Sequence, residues 1–264
     1  MFHNKKFEYY FKKTHKYLLW IVFIVAIIFY CYFLYSNFVQ PFSYRWKALY
    51  GSTKYPDGDV RGIDISHYQK HIKWNQLSTI TIQNSPIDFV FIKATEGNSD
   101  LDSLFDKNFQ SAKKQHITRG AYHFFTTRSS GLDQAKHFCK TVKLESGDLP
   151  PVLDIEFDKN YNNGQQDNNV KYEILNWLIY VENYYRVKPI IYASFNLKDQ
   201  YLKESLFNVY PYWIAHYYVD SLQYDGNWDF WQHTDAGHLD CIDGYVDIDL
   251  FNGNKEKLNK LCIE

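Results

Sequence analysis

An irregular (β/α) barrel behind an N-terminal transmembrane helix is the fold that the 264-residue sequence predicts, and three observations predict it. A charge-free apolar run lies near the N-terminus. Eight short β-branched and aromatic runs follow it at regular spacing. Helix-length stretches separate the early runs but not the last three, the pattern of an α/β chain of five βα units followed by three strands. The composition agrees: 45% hydrophobic and 22% charged residues, with 12 Gly and 7 Pro, exclude a disordered or collagen-like chain. A net charge of −1 lacks the basic excess of a nucleic-acid binder, so no nucleic acid is expected as a partner.

The first element is the run from Tyr17 to Tyr35, YLLWIVFIVAIIFYCYFLY, 19 residues without a charge and long enough to span a bilayer as a helix. Residues 1–16 carry five lysines against Glu8, a local charge of +4, which assigns this basic tail to the cytoplasm. The apolar core is longer than that of a signal peptide, and bulky residues rather than a small-residue cleavage site follow it. Residues 17–35 therefore read as an uncleaved single-pass anchor in the cytoplasmic membrane, with the lipid bilayer as partner and the rest of the chain on the periplasmic or cell-wall side. Residues 36–59, broken by Pro41, Gly51, Pro56 and Gly58, read as a stalk. Residues 60–252 hold the barrel, and 253–264 a C-terminal tail. Cys139, Cys241 and Cys262 lie beyond the anchor, where an oxidising compartment permits one disulfide; spacing does not say which pair forms it.

Strands are expected at Gly62–Ser66, Asp88–Thr95, Thr118–Phe125, Val152–Phe157, Pro189–Phe195, Tyr212–Tyr217, Asp229–His233 and Tyr245–Phe251. Between them, Asn75–Ile82, Leu101–His116, Gly131–Val142, Asn169–Tyr185 and Leu197–Leu206 are candidate helices. Ile174, Trp177, Leu178, Val181 and Tyr185 mark the fourth by their helical spacing. The Asn/Gln-rich stretch Asn160–Asn169 reads as a loop. An open doubly wound sheet shares the early pattern, but the last two connections are too short for crossover helices.

In a barrel enzyme the chemistry sits at the C-terminal ends of the strands. Asp64 closes the first run, Asp154 and Glu156 close the fourth in PPVLDIEFD, and Asp247 and Asp249 lie in the eighth. Strand residues two apart face one side, so Asp154 and Glu156 point together while Leu153, Ile155 and Phe157 point the other way. Two carboxylates on the inward face of an apolar strand are costly unless used, and their repulsion keeps a proton on one of them. An acid beside a carboxylate is what glycosidic cleavage requires. Four convergent acids could instead hold Ca²⁺ or Mg²⁺. The scattered histidines form no H-E-x-x-H, and no G-x-S-x-G elbow supports a serine hydrolase. His123 and His216 read as hydrogen-bonded core or rim residues. No metal and no cofactor is expected.

The ordered series GIDISHYQ, IDFVFIKATEG, RGAYHFF, PVLDIEF, IIYAS, YWIAHY, WQHT and GYVDIDLF resembles glycoside hydrolase family 25, the N-acetylmuramidase lysozymes, from Gly62 to Phe251. The resemblance implies an irregular barrel of five βα units and three further strands. It also implies hydrolysis of the β-1,4 bond between N-acetylmuramic acid and N-acetylglucosamine, with peptidoglycan glycan strands as the partner. It makes Glu156 the general acid and Asp154 the group that stabilises the transition state, with two routes open: internal attack by the 2-acetamido group that Asp154 orients, or attack by an activated water. Asp64 and Asp247 become the other active-site acids, and Tyr122, Tyr192, Trp213, Tyr217 and Gln232 the substrate-binding residues. The family commonly has Asn where this chain has Asp249. A wall-binding protein without turnover and a chitinase-like glycosidase are the rivals. The first has no need of the acid pair, and the second resembles a longer acid ladder, where this chain has Pro150 and Pro151.

Overall fold

A computed structural model of the chain describes residues 2–36, 55–156, 164–222, 224 and 226–264, in two units, Met1–Thr53 and Lys54–Glu264. Most of the expected stalk, together with Phe157 and Asn160–Asn163, lies outside the described residues. In the first unit, helix α1 (Phe2–Leu34) contains the stretch Thr14–Leu34, 21 residues of mean hydropathy 2.5, long and apolar enough to cross a membrane. Trp20, Phe23, Ile28 and Phe29 are all exposed along it. A helix apolar on every side is unsuited to a water-facing surface.

The second unit is a closed barrel. Its ring comprises β1 (Arg61–Ile65), β3 (Ser85–Glu96), β5 (Thr118–Phe124), β6 (Val152–Ile155), β7 (Ile190–Ser194), β8 (Tyr212–Ala215), β9 (Phe230–Gly237) and β10 (Val246–Phe251). Each strand runs parallel to the next from β1 to β9; β10 runs antiparallel to both β9 and β1 and so closes the ring. Closure excludes the open doubly wound sheet, because β1 pairs with β3 on one side and β10 on the other. Two short strands, β2 (Thr81–Ile82) and β4 (Asp100–Leu101), are additions to β3.

The helix expected over Asn75–Ile82 is replaced by a single turn, α2 (Trp74–Leu77), and then by β2. Gln83 and Asn84, with φ of 50° and 67°, turn the chain back into β3. Two consecutive left-handed residues make the tight reversal of a hairpin, and a helix cannot pass through it. The first crossover is therefore much smaller than the others, which carry α3 (Phe105–Lys114), α4 (Gly131–Thr141), α5 (Gly164–Tyr185) and α6 (Phe195–Tyr201). Gly164–Asn169, expected as loop, belongs to α5. The C-terminal tail holds a further helix, α7 (Lys255–Leu261), capped by the Asn254 side chain, which accepts from the Lys257 N–H at 2.9 Å.

The period-2 alternation of the strands sorts apolar residues into two layers. Ile63, Ile65, Val90, Ile92, Leu153 and Ile155 point outward under the helices, with Phe138, Ile174, Trp177 and Val181 against them. Phe89, Phe91, Val152, Ile190, Trp213 and Phe230 fill the barrel, and Leu258 of α7 joins that interior cluster. Large rings inside a narrow barrel demand small neighbours. A Cβ on Gly62 would lie 2.2 Å from the Phe89 ring, and one on Gly120 2.6 Å from Phe91. At the N-terminal end of β5, buried Arg119 makes a two-point pair with Asp148 at 2.7 and 3.1 Å and donates to the Phe109 carbonyl at 2.9 Å. All four cysteines are free thiols, so none of the pairings that the sequence left open is formed.

Candidate active site

The C-terminal mouth of the barrel opens into a cleft enclosing about 220 Å³. It is lined by Asp64, Asp154, Glu156 and Asp247, and by Tyr122, Tyr192, Trp213, Tyr217 and Gln232, so every residue expected as a catalytic or substrate-binding group reaches one cavity, while Asp249 does not line it. Asp64 points inward because β1 alternates, with Ile63 and Ile65 on the outer face. Asp154 sits on β6 and Glu156 one residue beyond it.

Asp247 arrives by a different route. It is the second residue of β10, at the N-terminal end of the strand, and it reaches the mouth because β10 runs opposite to its neighbours. The register places its Cα across from Asp64. Trp213 forms the floor rather than a wall. It is nearly fully buried, stacked on Phe91 at 4.5 Å, and donates Nε1–H to Asp249 at 2.8 Å.

A polar brace holds the acids on the β1 side. The Tyr192 and Tyr217 hydroxyls both donate to Oε1 of Gln232, at 2.7 and 2.8 Å. This fixes the amide so that its Nε2 donates to Asp64 Oδ2 at 2.6 Å. Burial raises the Asp64 carboxyl well above its usual range, and Asp247 and Asp249 raise it further, while the Gln232 bond opposes them. Asp154 is also raised well above the carboxylate range, first by burial and then by the Glu156 charge. Its Oδ1 is buried with no hydrogen-bond partner. Glu156 opens onto the cleft. Restricted hydration raises its carboxyl, and the Tyr192 hydroxyl and the Lys93 ammonium pull it partly back.

The lining also holds residues that sequence reasoning did not place in the site, among them Tyr68, Gln69, Lys93 and Phe124. Tyr68 is the most exposed aromatic of the cleft and stands on a 3-10 turn, His67–Gln69, that Ser66 and Gln69 close with a capping box. Asp102 fixes the start of that turn by accepting from the His67 backbone N–H at 2.9 Å and pairing with its ring at 2.8 Å. The S-H-Y-Q segment directly after a strand carrying an acid was the available signal. Lys93 bonds Glu96 at 2.8 Å and lies over the Phe124 ring. His123 lies on the outer face, bonded to Thr95 and Gln134 at 2.7 and 3.1 Å, a core histidine as expected. His216 is half-buried and stacked on Phe195. Among the described residues no cluster of His, Cys, Asp and Glu has the arrangement of a metal site.

A closed barrel whose mouth gathers an acid pair, two further acids and a tyrosine-lined wall has the build of a glycoside hydrolase. The family model for glycosyl hydrolases family 25 matches residues 63–242. The uncharacterized protein YegX of Escherichia coli (strain K12) is 36% identical over 235 residues, covering 89% of this chain and 82% of its own. Lysozyme M1 of Streptomyces globisporus is 30% identical over 216 residues, covering 77% of this chain and 71% of its own. The structure of a family 25 glycosyl hydrolase from Bacillus anthracis superimposes with a TM-score of 0.70 at 34% identity, over 79% of this chain and 95% of that one. The chain belongs to glycosyl hydrolases family 25, and it is a glycoside hydrolase of the muramidase class.

Proposed function

We propose that this chain cuts the β-1,4 bond between N-acetylmuramic acid and N-acetylglucosamine in peptidoglycan, with Glu156 as general acid. The observation that carries the reading is the pairing of a cleft-facing Glu156 with a buried Asp154 whose Oδ1 is unpartnered. Glu156, its proton retained by restricted hydration, protonates the glycosidic oxygen as the bond to C1 breaks. Asp154 accepts the N–H of the 2-acetamido group and turns its carbonyl oxygen toward C1, where it closes on the developing cation. Water then opens the ring, giving its proton to the Glu156 carboxylate. Asp64 and Asp247 add negative charge around the cationic centre, and Tyr122, Tyr192, Trp213, Tyr217 and Gln232 hold the sugars.

The helix supports a membrane-bound reading. Residues 17–35 serve as an uncleaved anchor, residues 1–16 stay in the cytoplasm, residues 36–59 form a stalk, and the barrel works on the wall side. Its reach is then limited to wall near the membrane, which suits local opening or remodelling. The deciding experiment treats purified peptidoglycan with the full chain and its Glu156→Gln variant, followed by borohydride reduction and acid hydrolysis. New muramitol ends with the unsubstituted chain and none with the variant are expected. Glucosaminitol ends would overturn the bond assignment, and binding to the wall without new ends would replace the enzyme by a wall-binding protein.

A further inference from the structure

Asp249 is an acid of the barrel interior to which the reaction above gives no task. It lies two residues along β10 from Asp247, on the same inward face, and is 0% exposed. It stands beneath the cleft, outside the lining. Its Oδ1 accepts the Trp213 indole N–H at 2.8 Å, and its Oδ2 is buried without a hydrogen-bond partner. The register sets it across from Gly62 on β1 and Gln232 on β9.

The charged groups that act on it are all acids. Asp247 is its neighbour on β10, and Asp64 on β1 feels its charge. The other strands around it bring neutral groups: Gln232 from β9, the indole from β8, and Phe89 and Phe91 from β3. Arg61 turns its Nη2 to the Pro56 carbonyl and Gln83, Lys93 bonds Glu96, and burial lowers His233 to about 3 and keeps it neutral. An ionised Asp249 would thus sit buried beside like charges, with no counter-ion bonded to it among the described residues. A protonated one still accepts the indole N–H through its carbonyl oxygen. Burial and Asp247 raise its carboxyl well above the usual range.

The indole carries this residue's influence upward. Trp213 meets Tyr192 edge to face at 4.5 Å, Tyr192 donates to Gln232, and Gln232 donates to Asp64. We propose that Asp249 is a positioning residue that works protonated, anchoring the Trp213 indole beneath the Tyr192–Gln232–Asp64 brace. The proposal rests on the muramidase reading of the cleft above. Once ionised, Asp249 adds charge under Asp64 and raises that carboxyl's affinity for a proton.

The test compares the full chain with Asp249→Asn and Asp249→Ala. Asparagine keeps a carbonyl acceptor for the indole and cannot ionise; alanine removes both. Asp249→Asn should keep kcat within about twofold of the unsubstituted chain, with the alkaline limb, set by the general acid Glu156, unmoved. Asp249→Ala should lose about tenfold in kcat at every pH, with KM little changed. A kcat loss in Asp249→Asn as large as that in Asp249→Ala overturns the proposal. An infrared difference spectrum between the unsubstituted chain and Asp249→Asn reads the proton without turnover. A protonated-carboxyl band at neutral pH supports the proposal, and an ionised one overturns it, whether or not peptidoglycan is cleaved. If Asp249→Asn does not fold, the titration of the Trp213 indole N–H resonance in the unsubstituted chain replaces it. A resonance that stays flat from about pH 5 to pH 8 supports the proposal, and a step within that range overturns it.

Discussion

Replacing Asp154 with asparagine should make the protein more stable and far less active, and the stability gain should depend on pH. The side chain is 6% exposed, its Oδ1 has no partner, and its carboxyl is raised by burial first and the Glu156 charge second. A raised carboxyl binds its proton more tightly folded than unfolded. Its stabilising contribution is therefore fully present below the unfolded value of about 4 and is lost as pH rises through the folded value. At neutral pH the native state holds this group against burial and the Glu156 charge, at a cost on the order of 2 kcal/mol that a neutral amide does not carry. For a unit the size of Lys54–Glu264, relieving about 2 kcal/mol raises Tm by roughly 4–8 °C. Thermal unfolding followed by circular dichroism from pH 3 to pH 8 measures this. The Asp154→Asn advantage should be largest at the alkaline end and vanish near pH 3, while turnover on peptidoglycan falls by about 10²–10³. A variant less stable than its parent at pH 8, or a Tm difference that ignores pH, would refute the reasoning that Asp154 is held against its electrostatic preference.

Gln232→Leu removes the acceptor of two tyrosine hydroxyls and the donor to Asp64 while keeping similar volume. It should cost at least about tenfold in kcat, and an unchanged kcat in the folded variant would show that the brace does not position the acids. Arg119→Met strands buried Asp148 and should destabilise by about 3–5 kcal/mol, with activity per folded molecule retained because the pair lies at the opposite end of the barrel from the cleft. Denaturant titration checks it, and Asp148→Leu in the same chain should restore much of the loss. Leu258→Ala opens a cavity in the barrel interior and should cost about 2–5 kcal/mol. A change under about 0.5 kcal/mol would mean that α7 is dispensable to the core.

The eight ring strands were legible because each is a compact β-branched or aromatic run, and because inside and outside alternate along it. Asp154 and Glu156 were legible for the same reason, with Leu153 and Ile155 marking the opposite face. What escaped depended on geometry without a composition. The hairpin at Gln83–Asn84 lacks the glycine that usually announces such a turn. Helix α7, KEKLNKL, shows one buried leucine in two turns, too little for periodicity to register. The place of Asp247 required knowing that β10 is inverted, since the rule of C-terminal strand ends points to the other face. The bond from Gln232 to Asp64 joins residues that become neighbours only through the closed ring, and no local pattern announces it.

That bond spans 168 residues of sequence. The strand that seals the ring is also nearly the last to be made, and Asp247 travels with it. A growing chain displays Asp64, Asp154 and Glu156 long before it can arrange them, because the loop closure that unites β1 with β10 must wait for synthesis past residue 251. Catalytic competence is thus acquired in one late event rather than accumulated. A product truncated ahead of β10 carries three of the four acids and has no cleft to put them in.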